Sequence, residues 1–187
     1  MATANLRNGV DVGRLNALVQ QLRADPAQAV TKFEARCRWE GGLRTRTEVS
    51  YFWMGGDRDD SRARPHVIEA DEPTSLLGSD AAADAVELLL AALGASLAAS
   101  WAVQAAARGV TLRALELAIQ GDLDLRMFLG LSDRVHSGVQ LVRIKAKVDA
   151  DASDEVLAEI KAAAERGSPV WNTLTRPVRI ISTVSRE

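Results

Sequence analysis

The sequence predicts an α+β fold, a mainly antiparallel sheet around one long central helix, assembled as a homodimer. Three observations predict it. Helical and strand-like segments are grouped rather than alternating: helix, three strands, long helix, two strands, helix, strand. The long helix is apolar on every side through its middle, and such a helix has no face to give to solvent. Its small residues Ala91, Ala95, Ala98, Ala99 and Ala102 suit close packing on a second copy of itself.

Each element follows from its own pattern. Val12, Leu15, Leu18, Val19 and Leu22 recur at the helical period behind Asp11, a side chain suited to an N-cap. Asp25-Pro26 begins a short turn, with proline at the first helical position. Phe33, Ala35, Cys37 and Trp39 then alternate with charged residues, which predicts one half-buried strand with Cys37 in the core. Gly41-Gly42 supplies a hairpin turn, and Leu43 to Trp53 reads as the returning strand. "MGGDRDDSRARP" reads as a polar loop and "HVIEA" as a third strand.

Ser79 or Asp80 is the expected cap of the long helix, and Arg108-Gly109 its close, giving about 28 residues or about 42 Å. Leu115, Leu117 and Ile119 mark the next strand. The loop "GDLDLRMFLGLSDRVHSG" is too apolar for an idle linker. Val142, Ile144, Ala146 and Val148 alternate cleanly with Arg143, Lys145 and Lys147. Ser153 caps a helix that ends near Gly167, Ser168-Pro169 opens a turn, and Val178 to Val184 reads as a last strand. No repeat or low-complexity linker interrupts the chain, so residues 1–187 read as one domain with 1–30 as an N-terminal helical extension.

Composition excludes several function classes. The 23 Lys+Arg nearly balance 25 Asp+Glu, so charge gives no reason to expect nucleic acid or a membrane surface as partner. Leu88 to Ala107 is uncharged, but nine of its twenty residues are alanine, which inserts weakly into lipid; a buried helix is the expectation. The N-terminus lacks the apolar core of a signal peptide and the lone Cys37 cannot form an internal disulfide, so a cytoplasmic protein is expected. Two histidines and one cysteine without local spacing predict no metal site, and no glycine-rich phosphate loop or cofactor motif follows a strand.

Four stretches in order resemble the osmotically inducible protein C / organic hydroperoxide resistance (OsmC/Ohr) family: "EADEP" at 69–73, "VELLLAALGAS" at 86–96, "RGVTLRALELAIQGDLDL" at 108–125 and "RGSPVWNTL" at 166–174. The match covers nearly the whole chain, and the N-terminal extension looks like that of a branch of longer members. The resemblance implies an intertwined homodimer, in which sheets with shared strands wrap two paired central helices. It also implies reduction of organic hydroperoxides by a thiolate on the central helix, with a second cysteine that resolves the oxidised form. A hairpin arginine and a helix glutamate tune the thiolate.

Carried over residue by residue, the attacking cysteine falls on Ser96 and the resolving one on Ser168. The glutamate falls on Val86, with Glu87 one place off, and the arginine on Arg44 or Arg46. Serine oxygen has no reversible oxidation ladder, whereas thiolate sulfur does. The expectation is therefore a homodimer without thiol peroxidase chemistry that binds a small hydrophobic molecule at its interface. An active hydroperoxide reductase and an interaction protein with no small ligand are the alternatives. Hydrolysis through Ser96 would need a base within reach, with His66 and His136 the only imidazoles. A mid-helix serine otherwise bonds back to a carbonyl one turn earlier.

Overall fold

The computed structural model describes residues 5–186. Residues 1–4 of the expected N-terminal extension, and Glu187, lie outside the described residues. In chain order the elements are β1 (Leu6–Arg7), β2 (Val10–Asp11), α1 (Val12–Ala24), a 3-10 turn (Pro26–Ala29), β3 (Thr31–Phe33), β4 (Arg36–Gly41), β5 (Arg44–Val49), β6 (Phe52–Met54), β7 (Asp57–Asp59), β8 (His66–Ala70), a 3-10 turn (Thr74–Leu76), α2 (Ala85–Ala107), β9 (Leu112–Asp122), β10 (Leu141–Ala150), α3 (Asp154–Gly167) and α4 (Pro169–Thr175). The α+β character with antiparallel pairing is as expected. The described residues divide into two units, residue 5 with 11–89, and 6–10 with 90–186.

The first unit holds α1 and two three-stranded antiparallel sheets, ordered β3-β6-β7 and β4-β5-β8. Asp11 caps α1 by accepting from Arg14 N, and Asp25 caps the 3-10 turn through Ala27 N. The expected strand across Phe33 to Trp39 is two strands in different sheets. Side chains go on alternating when the backbone changes partners, so the period hides the break. The expected return strand likewise splits into β5 and β6, and part of the expected polar loop pairs as β7.

On β4-β5-β8 the register places Cys37, Trp39, Thr45, Thr47, Ile68 and Ala70 on one face, and Arg36, Arg38, Arg46, Glu48 and Glu69 on the other. The expectation that Cys37 sits in the core is corrected: Cys37 is exposed, Trp39 is 74% exposed and Phe33 69%. Period two shows that two faces differ in polarity. It does not show that the chain itself supplies a cover for the apolar one.

Helix α2 starts at Ala85, later than Ser79 or Asp80. Asp84 Oδ1 accepts from Val86 N and Glu87 N, while Glu87 Oε2 accepts from Asp84 N, a reciprocal capping box. Ser79 is engaged elsewhere: the buried Asp71 carboxylate accepts from Glu72 N, Ser79 N, Ser79 Oγ and Ala81 N, and so shapes the loop before the helix. The helix has 23 residues, about 35 Å. Its end is as expected: Gly109 takes φ +77°, Gly109 N donates to Ala106 O and Val110 N to Ala105 O. That is a Schellman arrangement, which glycine enters without a Cβ penalty.

The second unit is built on the β9–β10 hairpin, paired from Leu112↔Ala150 to Asp122↔Leu141. Its half-buried face carries Leu115, Leu117, Ile119, Val142, Ile144 and Val148. The core joins Trp101, Ala105, Val110, Ile160 and Ala164, with Leu112, Leu115, Val148, Val156 and Leu157 packed around them. Gly94 lets the hairpin come close, since a Cβ there would sit 3.2 Å from Ile119 Cδ1. Ser153 caps α3 through Val156 N, as expected, and Ser168 caps α4.

Two features of this unit differ from expectation. Helix α2 is not covered all round: only Leu93, Leu97, Trp101, Ala105 and Ala106 are buried, and Ala91, Ala92, Ala95 and Ala99 are exposed. By length and composition it could cross a membrane. The expected strand from Val178 to Val184 is not formed. Residues 176–186 have no regular structure, and Ile180 is 85% and Val184 96% exposed. A strand exists only in a ladder, and this segment has no partner among the described residues.

Candidate functional site

Helix α2 places Ser96 one residue before the buried Leu97, half-buried itself, and the α3–α4 junction places Ser168 at the start of α4. Seventy-two residues apart in sequence, they meet: Ser96 Oγ and Ser168 Oγ lie 2.7 Å apart. Ser168 is fully buried, and its oxygen also accepts from Trp171 N at 3.2 Å. The Ser96 hydroxyl therefore bonds across to another helix rather than back to a carbonyl one turn earlier. Asn172 Nδ2 donates to the carbonyls of Glu165, Arg166 and Ser168, fixing the junction that carries Ser168.

Among the described residues the hydroxyl pair has no basic hydrogen-bond partner. The hydrogen bonds around it come from the other serine and a backbone N–H, neither of which takes up a proton near neutral pH. His136 is occupied within its own loop, its Nδ1 accepting from Gly138 N at 3.0 Å, and His66 belongs to β8 in the first unit. As arranged, the pair joins two helices and does not form a nucleophile–base couple.

Arg44 and Arg46 both belong to the first unit. Arg44 is exposed and opens β5 opposite Gly41. Arg46 lies on the charged face, 3.8 Å from Glu48 and 3.5 Å from Glu69. Glu87 is committed to the capping box, and Val86 supplies no carboxylate. Two carboxyls nearby have shifted acidity. The hydrogen bond from the Ser79 hydroxyl, with those from backbone N–H groups, holds Asp71 below the usual range. Burial, then repulsion from Asp84, Asp71 and Glu87, pushes Glu72 up. Among the described residues, no three His, Cys, Asp or Glu side chains converge as metal ligands would.

The residue-level reading missed two features. Asn8, at φ +53°, donates from Nδ2 to Val110 O and accepts from Leu112 N at Oδ1, so within the second unit its side chain pairs with the start of β9 as a strand residue would. Within that unit a groove of about 400 Å³ runs between α2, β10 and α4, bordered by Leu97, Trp101, Ile144 and Trp171. Neither is signalled by a local motif.

Several solved structures share this fold. An OsmC-like protein from Mycoplasma pneumoniae matches with TM-score 0.60 at 14% identity, over 77% of this chain and 87% of its own. An organic hydroperoxide resistance protein OsmC from Legionella pneumophila, described also as a predicted redox protein, matches with TM-score 0.54 at 16% identity, over 76% and 88%. An OsmC-like protein of unknown function from Vibrio cholerae matches with TM-score 0.56 at 15% identity, over 77% and 94%. At such identities the likeness shows the fold alone. Among curated proteins none matches significantly. The family model for OsmC-like protein matches residues 78–183, more than half of the chain, including α2, β9, β10, α3 and both serines. This chain belongs to the OsmC-like family.

Proposed function

We propose that this chain is an OsmC-like protein without thiol peroxidase activity, a cytoplasmic homodimer that binds a small hydrophobic molecule at its subunit interface. The observation that carries the reading is the contact between Ser96 and Ser168. Two oxygens stand at 2.7 Å where the resemblance places an attacking and a resolving sulfur. A peroxide oxygen transferred to serine has no reversible product, whereas cysteine passes through a sulfenic acid and a disulfide. The exposed alanines of α2 and the unpaired segment 176–186 support the dimer, since both leave apolar surface that a second copy would cover. The organic hydroperoxide resistance named for the Legionella protein gives the chemistry to test against.

The experiment combines three measurements on the full chain. Cumene hydroperoxide with dithiothreitol tests for catalysis, with Cys37→Ala as the control for the one thiol. Light scattering tests for the dimer, and native mass spectrometry for a retained small molecule. No catalytic turnover, twice the chain mass and a ligand adduct are expected. Turnover that Cys37→Ala abolishes would instead establish the active reductase.

A second reading rests on the loop between β9 and β10. Phe128 is 75% and Leu131 71% exposed beside Met127 and Leu129, an apolar tip suited to a protein partner. A Phe128→Ser variant that retains the ligand adduct but loses a co-purifying protein would favour it.

A further inference from the structure

We propose that the ligand of this site is a neutral apolar carbonyl compound, whose oxygen accepts a hydrogen bond from the Ser96 hydroxyl. The proposal rests on the ligand-binding part of the reading above and names the chemistry that ligand must carry.

A proton count on the serine pair gives the direction of its hydrogen bond. A hydroxyl has one proton to donate and two lone pairs with which to accept. Ser168 Oγ accepts from Trp171 N, and among the described residues its one other partner is Ser96 Oγ at 2.7 Å. Ser168 is fully buried. Were Ser96 the donor, both lone pairs of Ser168 would be filled and its proton would be left buried without an acceptor, the costlier arrangement. Ser168 therefore donates and Ser96 accepts. That leaves the Ser96 proton unused within the chain, since Ser168 Oγ is the one hydrogen-bond partner of Ser96 Oγ among the described residues.

The helix sets where that proton can go. Ser96 is half-buried and stands between two rows of α2, the buried Leu93 and Leu97 on one side and the exposed Ala92, Ala95 and Ala99 on the other. Ser168 takes up the buried side. The free O–H is left for the uncovered alanine surface, which the reading above gives to a second copy and the ligand. Accepting from Ser168 polarises this O–H and makes it a better donor. A hydrocarbon cannot use it. A carbonyl oxygen is satisfied by that one donor, whereas an alcohol brings a proton that needs an acceptor of its own. From Leu88 to Ala107 the helix carries no ionisable side chain, and one hydroxyl does not offset the desolvation of a carboxylate, so the carbonyl compound is neutral.

The test uses acetophenone and its hydrocarbon isostere α-methylstyrene on the full-length protein, by equilibrium dialysis, with infrared spectroscopy of carbonyl-labelled acetophenone. Ser96→Ala should weaken acetophenone about fivefold and leave α-methylstyrene unchanged. That variant strands the Ser168 hydroxyl, so Ser96→Ala/Ser168→Ala, which removes the whole pair, should show the same selective loss. The carbonyl band of bound acetophenone should lie below its position in hexane and return to it in Ser96→Ala. A bound carbonyl already at the hexane position would overturn the proposal, as would an equal loss of both probes, which marks Ser96 as merely structural. Binding of both probes that ignores Ser96→Ala would overturn it while leaving the ligand-binding reading intact. A dimer that binds neither probe would overturn it too. A monomer that binds acetophenone through Ser96 would support it and sink the interface instead.

Discussion

Replacing both Ser96 and Ser168 with cysteine, in a Cys37→Ala background, should close a disulfide between α2 and α4. The two oxygens lie 2.7 Å apart. A disulfide needs about 2.05 Å between sulfurs, and the longer carbon–sulfur bonds supply most of the difference. The bridge would close a loop of 72 residues, for which the chain-entropy relation gives about 4.4 kcal/mol at 25 °C. Sulfur is larger than oxygen, and Ser168 is fully buried, so overpacking takes back about 1–3 kcal/mol. The overpacking is common to both redox forms of the variant. Oxidised against reduced, the difference should therefore approach the full value, a Tm gap of about 9–18 °C for a chain of this size. Against wild type the oxidised variant should gain only about 1–3 kcal/mol. Calorimetry with and without dithiothreitol measures the gap, and thiol titration counts the sulfurs. Two titratable thiols persisting after mild oxidation would refute the placement of the pair, and so would equal Tm values in the two redox states.

Three further outcomes are expected. Ala95→Glu puts a charge on the exposed small-residue surface of α2 and should convert a dimer to a monomer, read as a halved mass by light scattering. Ile160→Ala empties a fully buried core position and should cost about 2–5 kcal/mol, measured by urea unfolding. The folded pKa of Asp71 is depressed, so its stabilisation is present above the ordinary carboxylate value near 3.8 and fades as pH falls through the folded one. Asp71→Ala should therefore lower Tm at pH 7 by more than at pH 2–3, in a pH series of thermal melts.

How much could be read from the residues depended on whether the relevant physics was local. The β9–β10 hairpin was legible because one of its faces packs on the unit's own core, so alternation and burial agree. The N-caps at Asp11 and Ser153 were legible because a cap is settled within three residues. The start of α2 was misplaced although Asp84 and Glu87 carry a capping box. Ser79 is an equally good cap by type, and only the buried Asp71, eight residues away, claims its hydroxyl. Cys37 and Trp39 were misjudged because nothing in a strand's period says what covers its apolar face. The meeting of Ser96 with Ser168 spans 72 residues and no residue pattern announces it; the family motifs alone brought the two together. The groove was illegible because five separate elements, α2, β9, β10, α3 and α4, contribute its walls.

The side chain of Asn8 also bears on how the protein ages. Asn8 precedes Gly9, the pairing in which a backbone nitrogen most readily attacks a side-chain amide, because glycine leaves that nitrogen unhindered. In the folded chain the amide is held at both ends, by Val110 O and Leu112 N, away from the freedom such an attack requires. Loss of ammonia would replace the Nδ2 donor with an oxygen facing the Val110 carbonyl, turning an attraction into a repulsion. The fold thereby guards against deamidation the amide that fastens its β1–β2 turn, and a chain left long unfolded should return with that fastening chemically spoiled.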